Sequence, residues 1–202
     1  MIKRGFDIFG ALMLLIIALI PMVIISVFIL VDSGRPVFFI QQRMGRFERP
    51  FWMIKFRTMG VLKTARYGSF DAGDNSRVTR TGRFLREFKL DELPQLFNVL
   101  KGDMSLVGPR PEIKEWTEVY HDRWEKVLQV RPGITDNASM QFRNEERILT
   151  NIKNPISYYR EVILPYKLSL YEAYVKNNNF FSDLMIILRT IRVLFYRENA
   201  PL

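Results

Sequence analysis

Between Asp7 and Asp32 the chain carries no charged side chain, and residues 8 to 31 are almost wholly apolar. A helix needs about 20 such residues to cross a bilayer, so this run is long enough to do so. Within lipid its backbone groups must be satisfied internally, which leaves a helix as the only single-segment solution. A cleaved secretory signal ends in small residues, whereas here Val27, Phe28, Ile29, Leu30 and Val31 keep the segment apolar to its end. The run is therefore read as retained in the protein.

Its flanks complicate a simple crossing. Lys3 and Arg4 precede it, and Arg35, Arg43, Arg46 and Arg49 follow it. Basic flanks stay cytoplasmic, and a single crossing cannot keep both there. Pro21 sits near the middle, lacks an N–H and opposes the carbonyl of Ile17, so a helix through it should kink or break. Two half-helices of roughly 18 Å, at about 1.5 Å per residue, could enter one leaflet and return. A kinked helix that spans the bilayer is the alternative, because freed carbonyls in membrane helices can be re-satisfied.

The remainder suits one soluble domain, giving a division into residues 1–34 and 35–202. Thirty Lys and Arg against 21 Asp and Glu leave a net charge of +9, which favours anionic partners. With no Cys and only His121, the chain excludes disulfides, thiolate metal sites, and triads built on Ser–His or Cys–His. Any bound metal must be a hard ion held by oxygen. His121 itself is assigned no role.

The fold class expected is α+β, mainly helical. Val37 to Gln41 and Phe51 to Phe56 read as a small β-hairpin around the turn-like Gly45 to Pro50, and Ala65 to Ser76 as a surface loop. Helices are expected over Arg83 to Lys89 and from an N-cap at Asp91 to Gly102. Others should cover Glu112 to Gln129, Ile156 to Asn177 with an interruption at Pro165, and Ser182 to Tyr196. The last sets an apolar stripe around Arg189 and Arg192, suited to the membrane interface or to packing on the body.

Polar residues concentrate in a few blocks. Asp91 and Glu92 adjoin at a helix start, where acidic residues commonly just stabilise the helix dipole. Nearby, however, Gly108-Pro109-Arg110-Pro111 holds an arginine between two prolines, and Arg131-Pro132-Gly133-Ile134-Thr135 repeats the device. Carboxylates beside rigidly presented guanidiniums suit phosphate chemistry. Arginine forks match phosphate oxygens, Mg2+ bridges carboxylate and diphosphate, and an Asp can itself attack phosphorus. Lys55-Phe56-Arg57-Thr58-Met59 supplies two more cations.

These blocks, together with Leu90 to Asn98 and Val99 to Pro111, closely resemble the bacterial sugar transferases, the monotopic phosphoglycosyl transferases of surface-glycan biosynthesis. The resemblance is strong over residues 1 to 135 and weak beyond. It implies transfer of a sugar 1-phosphate from a nucleotide diphosphate sugar, usually a UDP-sugar, to polyprenol (undecaprenyl) phosphate, with release of UMP. It also implies that Asp91 is the nucleophile of a covalent intermediate. Glu92 becomes its partner in an acidic dyad, serving either to hold Mg2+ with Asp91 or to position it. Lys55, Arg57, Arg86, Pro109, Arg110, Pro111, Arg131, Arg143 and Asn144 become substrate contacts. A re-entrant helix broken at Pro21 would then hold a compact helical body, with interfacial amphipathic helices, on the cytoplasmic face of the bacterial inner membrane. Membrane lipid is a further partner, and a homodimer through membrane-proximal helices is compatible.

The chain departs from the family pattern in two places. Ile20 stands where a Ser commonly precedes the membrane proline, and Asp136 to Phe142 lacks two glycines of the usual frame. The altered frame implies a different sugar or base pocket. Two rival readings compete: a non-enzymatic basic scaffold on anionic lipid, which leaves the Asp91-Glu92 and Arg110 blocks without purpose, and a nucleic-acid binder, for which no motif is present.

Overall fold

The computed structural model describes residues 2–61 and 76–195, so the loop expected over Ala65 to Ser76 and the helix end at Tyr196 fall almost wholly outside the described residues. The apolar run forms one helix, α1, Ile2–Ser33. Helical structure continues through Pro21 without the interruption expected there. One proline removes only one ladder N–H, and packing on both sides of it, through Ala18 and Met22, holds the helix to the body.

The buried positions of α1 form one stripe: Asp7, Ala11, Ala18, Met22, Ile25 and Ile29. The spacings of three, four and seven place them on a single helical face. The opposite face leaves Phe9, Ile16, Ile17, Leu19, Ile20, Val23, Val27, Phe28 and Val31 exposed. Polar groups fasten both ends to the same body. At the N-terminal end Lys3 pairs with Asp183 and donates to the Val107 carbonyl at 3.0 Å, and Asp7 accepts from the Ser105 hydroxyl at 2.9 Å and the Leu106 N–H at 3.0 Å. At the other end Asp32 accepts from the Thr81 N–H at 2.9 Å, and Arg57 donates to the carbonyls of Ser33 and Gly34 at 2.9 and 2.7 Å.

The expected hairpin is present as β1, Phe38–Met44, and β2, Pro50–Phe56, paired antiparallel with Ile40 opposite Ile54. The turn between them holds a 3-10 segment at Arg46–Glu48. Helix α2 is Arg80–Glu87, starting earlier than expected because Thr79 caps it, its hydroxyl accepting from the Gly82 N–H at 2.9 Å. A 3-10 turn at Leu90–Glu92 leads into α3, Gln95–Lys101, which Gly102 ends in the left-handed conformation (φ 102°). Asp91 thus lies inside the 3-10 turn and not at the N-cap, which Pro94 occupies for α3.

The sequence reading missed a second pair of strands, β3 at Ser105–Val107 and β4 at Gly133–Thr135, which run parallel. The strands are three residues each, too short to carry a readable alternation. Between them lie α4, Lys114–Val119, and α5, His121–Val127, where one helix was expected over Glu112 to Gln129. The chain leaves helical geometry at Tyr120 (φ −130°, ψ 57°). After β4 come two short helices that the sequence reading did not separate, α6, Asn137–Gln141, and α7, Glu145–Thr150. Next are α8, Pro155–Tyr158, a π turn over Tyr159–Ile163, and α9, Leu164–Asn177. The π turn is how the chain accommodates Pro165, whose ring would clash with a regular preceding turn. Helix α10, Phe180–Phe195, closes the described residues.

Helix α1 walls two of three apolar cores, joining Phe56 and Leu85 at one end and Leu96, Val99 and Met104 at the other. The third gathers Trp124, Tyr159, Leu164, Leu168 and Tyr171 from α5, the π turn and α9.

Candidate active site

Two locally distant motifs meet at the strand pair. Gly108 donates its N–H to the Thr135 carbonyl at 3.1 Å, and Gly133 donates to the Pro109 carbonyl at 2.9 Å. A Cβ on Gly133 would stand 2.1 Å from the Gly108 nitrogen, so only glycine permits this approach. The crossing fixes Pro109-Arg110-Pro111 at the end of β3. Below it Arg43 donates to the Glu112 carboxylate at 3.1 Å, and the Tyr159 hydroxyl donates to the same carboxylate at 2.8 Å.

Strand β2 is docked by Asn98, which accepts from the Ile54 N–H at 3.1 Å and donates to the Trp52 carbonyl at 2.7 Å. That bond places Lys55 opposite the Leu90–Glu92 turn. Glu92 is then gripped by two cations, Lys55 at 3.1 Å and Arg110 at 2.5 Å, with a second Arg110 nitrogen at 3.4 Å from its other oxygen. Burial pushes the Glu92 carboxyl up, but Arg110 and then Lys55 more than offset it and hold it well below the usual range. Asp91 moves the other way. Burial raises its carboxyl, which Lys55 opposes and Glu92 reinforces. One carboxylate oxygen of Asp91, Oδ1, is buried with no hydrogen-bond partner. A buried oxygen left unpaired costs free energy unless a ligand uses it.

The dyad opens into a cleft of about 1370 Å³. Its lining is mixed: Leu14, Ile17, Ala18 and Pro21 of α1 and Ile187 and Ile191 of α10 are apolar, whereas Arg83, Arg86, Lys89, Arg143 and Arg147 are basic. Arg86 donates to Thr58 at 2.9 Å and pairs with Glu146 at 2.8 Å, and Arg143 donates to the carbonyls of Val193 and Glu87.

Of the residues singled out from sequence, Lys55, Arg57, Arg86, Asp91, Glu92, Arg110, Arg143 and Asn144 line the cleft. Arg57 does so with its guanidinium committed to the end of α1. Pro109 and Pro111 act on the backbone and do not line it, and Arg131 instead donates to the Gly102 carbonyl at 2.8 Å behind α3. Arg43, Asn98 and Glu112 were missed as supporting residues. Glu112 directly follows Pro111, which was the available signal, but nothing local in the sequence pairs it with Arg43.

An Asp with one buried, unpaired carboxylate oxygen beside a Glu clamped by two cations, in a cleft lined by both apolar and basic side chains, is an arrangement suited to group transfer. More narrowly, the chain belongs to the bacterial sugar transferase family, whose model it matches over residues 1–197. It is 36% identical to the uncharacterized sugar transferase EpsL of Bacillus subtilis (strain 168), covering 98% of this chain and 89% of that one. It is also 36% identical to the undecaprenyl-phosphate galactose phosphotransferase of Salmonella typhimurium, covering 98% of this chain but 41% of that protein. Identity is 34% to the UDP-N-acetylgalactosamine-undecaprenyl-phosphate N-acetylgalactosaminephosphotransferase of Aeromonas hydrophila, 43% of which is covered. The chain thus spans about two fifths of the length of each of these last two relatives.

Proposed function

We propose that the protein transfers a sugar 1-phosphate from a UDP-sugar to undecaprenyl phosphate in two steps through Asp91. The observation that carries this reading is the unpaired, buried Asp91 oxygen beside a Glu92 already neutralised by Lys55 and Arg110. In the first step an Asp91 oxygen attacks the phosphorus that bears the sugar, forming an acyl phosphate and breaking the bond to UMP, which leaves. In the second, a phosphate oxygen of the lipid attacks the same phosphorus, forming the lipid-linked diphosphate sugar and returning Asp91 as carboxylate. Arg110, Arg86 and Arg143 line the cleft and would bring positive charge, and the N–H donors they free from Glu92, Glu146 and the Val193 and Glu87 carbonyls, to the phosphate oxygens.

Mg2+ is part of the proposal. Asp91, whose Oδ1 has no hydrogen-bond partner, would hold it, and Mg2+ commonly takes only one or two carboxylates. Glu92, with Lys55 and Arg110 on its oxygens, is turned to the role of counterion. When bound, the ion would neutralise diphosphate charge. The names of the relatives, several of them undecaprenyl-phosphate sugar phosphotransferases, support the acceptor. The apolar side chains in the lining, Leu14, Ile17 and Pro21 of the apolar helix α1 among them, support it independently, since the polyprenol chain needs apolar surroundings where its phosphate reaches the dyad.

UMP release by detergent-solubilised protein with Mg2+ and undecaprenyl phosphate, across a panel of UDP-sugars, tests the reading. Release is expected to require the lipid, the metal and one or few of the sugars. Silence over the whole panel with folded protein would transfer weight to the scaffold reading.

The topology proposed is monotopic, on the cytoplasmic face of the inner membrane. A straight helix the length of α1 would run about 48 Å, more than the roughly 30 Å hydrocarbon core. Yet Lys3 and Asp7 near one end and Asp32 at the other all bond to one polar body, which supports an arrangement in which that body stays on one side. The exposed apolar face of α1 is then what enters the lipid. Because the chain has no Cys, single Cys residues at positions 2 and 34 give clean reporters. Both are expected to react with a membrane-impermeant maleimide only after the cytoplasmic side is opened. Labelling of position 2 from the outer face of intact cells would overturn the proposal.

A further inference from the structure

One charged pair in the cleft wall has no part in the chemistry above. Lys167, on α9, is 4% exposed and pairs at 2.5 Å with Glu145, at the start of α7. Its ammonium also lies 5.1 Å from the centre of the Tyr159 ring. Both residues line the cleft. Desolvating two charges is costly, and a buried pair is often no more stable than apolar residues of the same volume, so stability is a weak reason to place one there.

Its position indicates what it serves. Both residues share their cleft with Asp91, Glu92 and the arginine that clamps Glu92. Glu146, the next residue along, reaches Arg86 instead. The start of α7 therefore turns one carboxylate toward Arg86 and the other onto Lys167 in the same cleft wall. In the proposed reaction the sugar is attached to the phosphorus that Asp91 attacks, so its ring must lie within a few ångströms of the dyad. Neighbouring sugar hydroxyls present alternating donors and acceptors, and an ammonium beside a carboxylate is complementary to such a pair. Glu145 also falls just beyond the stretch where the sequence departs from its family frame.

We propose that Glu145 and Lys167 are specificity-determining residues that read hydroxyl groups of the donor's sugar, Glu145 accepting and Lys167 donating. The inference rests on the transferase reading. The test measures kcat/KM for UMP release across UDP-hexoses differing at C4 configuration and at C2 (hydroxyl or acetamido), in wild type, Glu145→Gln and Lys167→Met, with UMP binding by calorimetry as control. A site built to bond a substrate hydroxyl rejects the wrong analogue strongly, so the ratio between the best donor and its epimer should change at least about tenfold in the variants. UMP affinity should stay within about twofold. If activity falls equally for every sugar, the pair is structural and the proposal is overturned. Lys167→Met leaves Glu145 unpaired and its folding is checked by melting; should it unfold, Glu145→Gln, which keeps shape and Lys167, decides the matter alone. A silent wild type would sink the transferase reading and this inference together, and is distinct from active enzyme with unchanged ratios.

Discussion

Asp91→Asn is expected to abolish sugar-phosphate transfer, with a loss of at least about four orders of magnitude in kcat, as removal of a covalent nucleophile generally produces. The amide keeps the shape of the side chain but cannot form the acyl phosphate. Single-turnover incubation with labelled donor checks the assignment directly: wild type should retain label on protein before lipid is added, and the variant should retain none. Full activity in the variant would sink the covalent route.

The same substitution should stabilise the protein. Burial raises the Asp91 carboxyl in the folded state, so above the ordinary aspartate value of about 3.9 the unfolded chain ionises more readily than the fold. Asp91 therefore contributes stability only at low pH, and that contribution is lost as pH rises through its folded pKa. A neutral Asn carries no such loss. Thermal melts should show Asp91→Asn above wild type at pH 7, with the gap closing as pH falls toward 4. The acid limb of wild-type kcat/KM, which needs ionised Asp91, should correspondingly lie above the usual carboxylate range. A nucleophile that costs stability where it works fits a functional origin for its unpaired oxygen better than a structural one.

What could be read from sequence followed from whether the signal was local. The apolar run, the hairpin from Phe38 to Phe56 and α9 each carry their own periodicity or length, and appear as elements with shifted ends. The blocks around Asp91-Glu92 and Arg110 stood out because prolines and glycines flank them, and the structure brings them together at one cleft. What was not legible is nonlocal. Gly108 and Gly133 lie far apart in sequence, and only the parallel pairing of β3 with β4 shows why both are glycine. Arg131 looked equivalent to Arg110, yet the backbone crossing that exposes one to the cleft sends the other to the Gly102 carbonyl. The break at Pro21 was argued from one missing N–H, whereas the packing of Ala18, Met22 and Ile25 on Phe56 and Leu85 acts along several turns. Asp91 was read as an N-cap because the three-residue 3-10 turn that contains it has no signature of its own.

Arg110→Met should be the next most damaging change to activity and, unlike Asp91→Asn, should also cost stability. Arg110 holds Glu92 with two nitrogens, at 2.5 and 3.4 Å, and Glu92 is buried. Breaking a buried pair by removing one partner costs about 3–5 kcal/mol; since Lys55 remains at 3.1 Å and Arg110 is partly exposed, the expected loss is nearer 2 kcal/mol. Its pH dependence has the opposite sign to that of Asp91→Asn. Glu92 is held well below the usual range, so it stabilises the fold above the ordinary glutamate value of about 4.3 and loses that contribution as pH falls toward its folded pKa. Removing Arg110 removes most of the contribution, so the variant should melt furthest below wild type near pH 7 and approach it in acid. For activity, a guanidinium aimed at developing phosphoryl charge is worth about 10²–10³ in kcat. Arg110→Lys separates the two roles. It keeps a charge for Glu92 but loses the fork, and should recover most of the melting temperature while leaving kcat low. Equal recovery of both would show that Arg110 serves Glu92 alone, and that the phosphate is held by other cleft cations such as Arg86 and Arg143.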